Sequence, residues 1–285
     1  MKNLGRSVFV STLGLLAGLA VLAPPAAAAP CGRGAIPGGD LEVVGLTSDD
    51  RLICFQQATP GQSDSIGFVT GLSTDTSIVG MDFRPASGAL WALGDAGGLY
   101  TLDLRNGNAT LRARLGVALT GTAFGVDFNP TVDRLRVVGN DGQNLRVNVD
   151  TGAVTVDGSL SVTSPTVASG VIGAAYTNND TNPNTATTLF VLDSSTDQIF
   201  IQAPPNAGSL NPVGKLVGDA TVDAGFDIYS QKKNGPTVGN FGYAVYSRGT
   251  ARGFYQINLL TGRGWPRGSF RATDDVVDIA VPLSQ

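Results

Sequence analysis

Histidine is missing from this sequence altogether. Its absence removes Ser-His-Asp triads, histidine acid-base chemistry and histidine metal sites together. Glutamate is nearly as scarce: of 23 acidic residues only Glu42 is a glutamate. The rest are aspartates, which favour turns where glutamate favours helices. Basic residues are also in deficit, and the formal net charge of −4 becomes −6 once Lys2 and Arg6 of the leader described below are set aside. That balance argues against nucleic acid as a partner. Long apolar runs are confined to Val8 to Leu22, so no later segment is suited to span a bilayer. Cysteine occurs twice, at Cys31 and Cys54, and a bridge between them would leave no thiol nucleophile.

What the chain has in abundance is turn formers, with 38 glycines and 15 prolines. From Ile78 to Thr110 they punctuate short apolar runs: IVGMDF, then the turn Arg84 to Gly88, then LWAL, a Gly-Asp-Ala-Gly-Gly turn, LYTL and Asn106-Gly107. Runs joined by turns this short read as an antiparallel meander. The opening run returns around Asp82, Asp127, Ala175, Asp227 and Asp278, at spacings of 45, 48, 52 and 51 residues. Repeats of about 50 residues with four strands each predict a β-propeller, here with five four-stranded antiparallel blades. The fifth copy holds only its opening strand. Leu41 to Leu46, Leu52 to Gln56 and Ile66 to Val69 supply the other three, so both ends of the chain are expected to build one blade and close the ring.

The first 29 residues combine Lys2 and Arg6, the apolar run and a small-residue end at Ala26 to Ala29, the pattern of a secretory signal. A single propeller domain over residues 30–285 is expected to follow, secreted or periplasmic and without a membrane span. In that oxidising setting Cys31 and Cys54 are expected to pair. Insertions follow the opening strand in blade three (Thr177 to Thr187) and blade four (Ser230 to Asn240), and both should emerge at one end of the ring. Loops of this kind on a rigid ring are where binding usually sits.

Four aspartates, Asp82, Asp127, Asp227 and Asp278, recur in the opening strands and are the candidate metal or ligand residues. Two readings stand beside each other: carboxylates that accept backbone hydrogen bonds between blades, and an axial oxygen site for calcium that could activate water for hydrolysis. Asn178, Asp180 and Asn182 alternate like the start of a calcium loop, but Pro183 and Leu189 stand where its glycine and glutamate belong. Paired carboxylates of the glycosidase type would depend on aspartates or on Glu42, which sits away from the axis. Trp91, Tyr100 and Phe128 read as packing between blades. Arg134, Arg136 and Arg146 cluster in blade two, as a solvated outer face or as an anion clamp.

The stretches GMDFRPASGALWALGDAGGLYTLD, FGVDFNPTVDRLRVVGNDGQNLRVNVDTGAV and VIGAAYTNND resemble the bacterial exported proteins grouped as domain of unknown function 4394. The resemblance spans Leu41 to Asp227 and implies a secreted, propeller-like domain. It brings no catalytic residue with it. Ala175, where the other repeats have aspartate, interrupts any complete carboxylate ring. The function expected from the residues is a non-catalytic module that binds a protein, glycan or cell-envelope component, the alternative being a calcium-dependent hydrolase using axial aspartates.

Overall fold

The computed structural model describes residues 31, 40–162 and 166–283; the expected signal, residues 1–29, lies outside the described residues. Five four-stranded antiparallel sheets form a ring. Blade one is Ile78–Phe83, Leu90–Gly94, Gly98–Leu102 and Ala109–Arg114. Blade two is Phe124–Asn129, Arg134–Gly139, Asn144–Val147 and Val154–Val156. Val171–Tyr176, Leu189–Asp193, Gln198–Gln202 and Leu210–Lys215 make blade three. Gly225–Lys232, Thr237–Arg248, Ala251–Ile257 and Gly264–Ser269 make blade four. Blade five pairs Val276–Ala280 with Glu42–Thr47, followed by Arg51–Gln56 and Asp64–Phe68. The ring is therefore closed by strands from the two ends of the chain, as the repeat spacing implied. No helix among the described residues is long and apolar enough to cross a membrane.

Sequence periodicity decides how each sheet is buried. The innermost strands are apolar or glycine on both faces because each is sandwiched between its two ring neighbours; Val171–Tyr176 is buried at every position. Outermost strands alternate polar residues and face solvent, as in Ala109–Arg114 and Val154–Val156. The core is accordingly five wedges, one between each pair of adjacent blades. Blades one and two meet at Trp91 and Phe128, edge to face with ring centroids 6.2 Å apart, so these aromatics do pack between blades. In four blades the register between third and fourth strands slips by one residue, at Leu52/Ile53, Leu99/Tyr100, Ile199/Phe200 and Phe254/Tyr255. Such bulges add the twist that turns the outer strand away from the axis.

A glycine layer sets the spacing of the innermost strands. Gly80, Gly125, Gly173 and Gly225 lie opposite Leu93, Val138, Leu192 and Val245 of their own blades. A Cβ on Gly125 would meet the Gly173 carbonyl carbon at 2.5 Å, and one on Gly225 would meet the Asp278 Cα at 2.6 Å. These contacts are to backbone, which cannot rotate away.

The fifth member of the layer is Asp278, opposite Leu46. This shifts one expected correspondence. Asp82, Asp127 and Asp227 lie opposite Trp91, Arg136 and Tyr243, and the matching residue of blade five is Ala280, opposite Val44. Asp278 stands two residues earlier and therefore at a different height. The extra length of blade four hid the offset: its first hairpin runs on to Lys232 and Thr237 and turns at Asn234-Gly235, both with positive φ (55° and 107°). The segment read as an inserted loop, Ser230 to Asn240, is thus mostly extended strand.

Cys31 and Cys54 are bonded, with Cα atoms 5.9 Å apart, which ties Cys31 to the third strand of blade five. Replacing Cys54 with serine should lower the unfolding free energy by about 3 kcal/mol, the loop-entropy value for a separation of 23 residues, measured by urea denaturation of oxidised protein. Gly125→Ala, which forces a side-chain carbon against backbone, should be destabilising by about 3 kcal/mol or more in the same measurement. An unchanged midpoint would show that the innermost strands can move apart.

Candidate functional site

The repeated geometry of the innermost strands carries three aspartates to one place. Carboxylate oxygens of Asp82, Asp127 and Asp227 lie within 4.8 Å of one another, and all three residues are buried. Each carboxylate also fastens one blade to another. Asp82 accepts the Phe128 N–H of blade two at 2.8 Å, and Asp227 accepts the Val281 N–H of blade five at 2.6 Å. Asp127 accepts the backbone N–H of Tyr176 in blade three. Asp278, from its own level, accepts the Met81 N–H of blade one at 2.8 Å. Among the described residues only the step from blade three to blade four lacks such an aspartate bond, because Ala175 occupies the position.

Asp82 and Asp227 use their remaining oxygens on the N–H of Phe83 (2.6 Å) and Ile228 (2.5 Å). One oxygen of Asp127 is buried without a partner. Calcium takes six to eight oxygen ligands. Among the described residues this group offers three carboxylates, most of whose oxygens already receive backbone N–H groups, and that donor set does not make a calcium cage. Its chemistry is that of buried carboxyls pushed toward their neutral form. Burial, then repulsion from the neighbouring carboxylates, pushes Asp82 and Asp127 well above the usual carboxylate range. Burial alone raises Asp227 to about 6, and burial with repulsion from Asp227 raises Asp278 to about 7.

Above this group, at the ends where the innermost strands begin, an axial cavity of about 230 Å³ opens. All five blades contribute a wall residue: Ile78, Phe124, Ile172, Ala224 and Val277. Asp50, Asp223 and Asp278 also line it, and among the described residues no lysine or arginine does. Asp50 accepts the Ile78 N–H at 2.9 Å, while the Asp223 carboxylate is 3.9 Å from Arg252. Of the four candidate aspartates, then, Asp278 faces the cavity and the other three lie in the packed wall beneath it. Asp50 and Asp223 escaped the sequence reading because they fall in connections between strands, outside the repeated opening run.

The two insertions do share the opposite end of the ring, and there they brace each other. The Asn178 N–H donates to Asn240 Oδ1 at 3.0 Å, Asn240 Nδ2 donates to Asn178 Oδ1 at 2.9 Å, and the Thr237 N–H donates to Asp180 Oδ2 at 3.0 Å. Asn178 and Asp180 are thereby engaged as hydrogen-bond partners of blade four. Of the arginine cluster of blade two, Arg136 does not lie on a solvated outer face: it is 2% exposed, held by Asp157, Asn144 and Asn206, while Arg134 and Arg146 are half-buried. Both faces of a second strand touch neighbouring blades in a propeller, so strand alternation turns Arg136 inward.

A family model described as a domain of unknown function, DUF4394, matches residues 51–280. The chain belongs to that family. No curated protein matches the sequence. Among solved structures, the DUF4394 chain is similar to a protein of unknown function from Bacteroides thetaiotaomicron VPI-5482, at 12% identity and a TM-score of 0.46, over 81% of this chain and 55% of that one. An auxiliary nutrient binding protein from the same organism matches at 12% identity and a TM-score of 0.44, over 78% and 56%. TolB from Acinetobacter baumannii matches at 14% identity and a TM-score of 0.45, over 80% and 53%. The DUF4394 chain spans about half the length of each.

The raised axial carboxyls fix the sign of a pH dependence. A folded pKa above the unfolded value means that the native state holds more protons between the two, so stability falls as pH rises through that window. For Asp227 and Asp278 the window runs from the ordinary aspartate value of 3.8 to about 6 and about 7. Asp75, Asp157 and Asp274 have the opposite shift, and their contribution is lost as pH falls below the same ordinary value of 3.8. The melting temperature of the DUF4394 propeller should therefore peak near pH 4 to 5 and decline toward pH 7. Asp227→Asn should flatten the decline in scanning calorimetry; an undiminished decline would remove the axial carboxyls as its source.

Proposed function

We propose that this protein is a non-catalytic binding module of the secreted or periplasmic space, which receives a group of a protein, glycan or envelope component in the axial cavity. The observation that carries the reading is the composition of that cavity: one apolar wall residue from each blade, with Asp50, Asp223 and Asp278 as its only charged groups among the described residues. The cavity is concave, pre-formed and mixed in character, with Thr47, Ser48, Ser77 and Thr122 beside the apolar walls, and concave sites with a few placed polar groups are the usual form of a ligand site. Its charge selects a ligand group that is positive or donates hydrogen bonds. The disulfide supports an oxidising location. A hydrolase would need a nucleophile or an open metal position facing substrate. Asp82, Asp127 and Asp227 do not line the cavity, which favours binding over hydrolysis.

A primary amine with a sugar body suits this site, and D-glucosamine is a suitable probe, with D-glucose as the uncharged comparison. Calorimetric titration should give saturable binding of the amine, tighter than glucose. Its affinity should rise as pH passes through about 7, where Asp278 loses its proton. Asp278→Asn should weaken it about tenfold or more, as expected for losing a charge-assisted contact. Equal affinity for both sugars, or an Asp278→Asn protein that binds as well as the parent, would count against the reading.

A further inference from the structure

The other end of the ring holds a cavity of opposite character. It measures about 170 Å³, lies between blades two and three, and is walled by Asn129, Arg134, Arg136, Arg146, Tyr176 and Asn206. Strand register explains why three arginines share it. Asn129 lies directly opposite Arg134, and Arg136 directly opposite Arg146, so alternation puts all four side chains on one face of blade two. Two arginines facing each other across a ladder repel. Asp157 offsets this by accepting Arg136 Nη1 at 2.7 Å, Arg146 Nε at 2.7 Å and Arg146 Nη2 at 2.9 Å.

One carboxylate does not balance three guanidinium groups. Arg134 donates only through Nη1, to the carbonyls of Asp133 (2.8 Å) and Val132 (3.4 Å). Among the described residues no carboxylate lies within ion-pair distance of it, and neither its Nε and Nη2 nor Arg146 Nη1 has a protein acceptor. Asn206 Oδ1 and the Tyr176 hydroxyl hold Arg136 rigid, at 2.9 Å and 3.4 Å. The surplus charge thus comes with fixed geometry, and arginine forks match the paired oxygens of an oxyanion.

We infer that this cleft is an oxyanion subsite, which takes the carboxylate, sulfate or phosphate group of a ligand between blades two and three. Its volume is below that of a site for a whole drug-sized ligand, so it holds the charged group and leaves the remainder outside. Arg134 and Arg146 supply the free donors, and Arg136 supplies fixed positive charge behind them. The subsite shares no residue with the axial cavity. Either can therefore fail without the other.

Sodium sulfate, sodium phosphate and sodium D-glucuronate, titrated separately into the full protein at constant ionic strength, distinguish the sources of the anion. At least one should bind with 1:1 stoichiometry, and the tightest of the three identifies a planar or a tetrahedral group. Arg134→Gln should weaken that binding about tenfold or more, the effect of losing one charge-assisted hydrogen bond. Arg267→Gln, on the outermost strand of blade four, should leave it unchanged. Arg134 is half-buried and donates only to the carbonyls of its chain neighbours Val132 and Asp133, which predicts a near-normal melting curve for the variant. If it melts early, Arg146→Lys, which keeps a charge beside Asp157 but loses the fork, should show intermediate affinity. Absence of saturable binding for all three anions up to about 50 mM, far weaker than any specific site, would overturn the proposal. So would binding that neither Arg134→Gln nor Arg146→Lys alters.

Discussion

The close approach of the innermost strands governs the rest of this molecule. Where Gly125 faces Gly173, two backbones come nearer than any side-chain carbon would allow. With so little width at the axis, backbone seals the ring, and an aspartate two residues further on is short enough to reach the next blade's amide. A wider ring would need longer side chains or water to make the same join. The narrowness also puts Asp82, Asp127 and Asp227 within 4.8 Å of one another, so one geometric cause produces both the fasteners between blades and the accumulation of acid they bring.

The two ends of the ring differ in charge. Where the innermost strands begin, the axial cavity has acidic walls and no basic residue. Where they finish, the cleft between blades two and three has three arginines against Asp157. Elsewhere arginine serves structure. Arg84 forms ion pairs with Asp133 and Asp150 and lies over the rings of Trp91 and Phe128, joining the edges of blades one and two. Arg134, next in sequence to one of those aspartates, forms no ion pair among the described residues and meets Asp150 only at longer range. The contrast between these neighbours distinguishes a structural arginine from one with donors to offer.

Much of the architecture was legible in the sequence because a propeller repeats its physics. The same apolar run, turn and glycine recur at each blade, and the missing strands of the last blade can be counted at the head of the chain. The pairing of Cys31 with Cys54 was legible for a different reason, the redox setting expected of an exported chain. Counting failed where a repeat changed length. Blade four extends its first hairpin through Lys232 and Thr237, so Asp278 fell on the expected beat while Ala280 holds the equivalent place. The cavities were legible only in part, through Asp278 and the cluster of Arg134, Arg136 and Arg146. Asp50 and Asp223 lie in connections with no periodic mark, and the depth of Arg136 depends on blade three, whose contact with it links residues 40 apart in sequence.

Blade five joins Val276–Ala280 to Glu42–Thr47, strands from the two extremes of the described chain. Until the later segment arrives, Glu42–Thr47 keeps one row of amides and carbonyls bare, and the ring stays an open arc. Synthesis proceeds from the amino terminus, so the first strand to be made is among the last to be satisfied. Assembly of the circle is a race between its own tail and any other strand that finds the vacant edge first, and crowding of growing chains would favour the stranger.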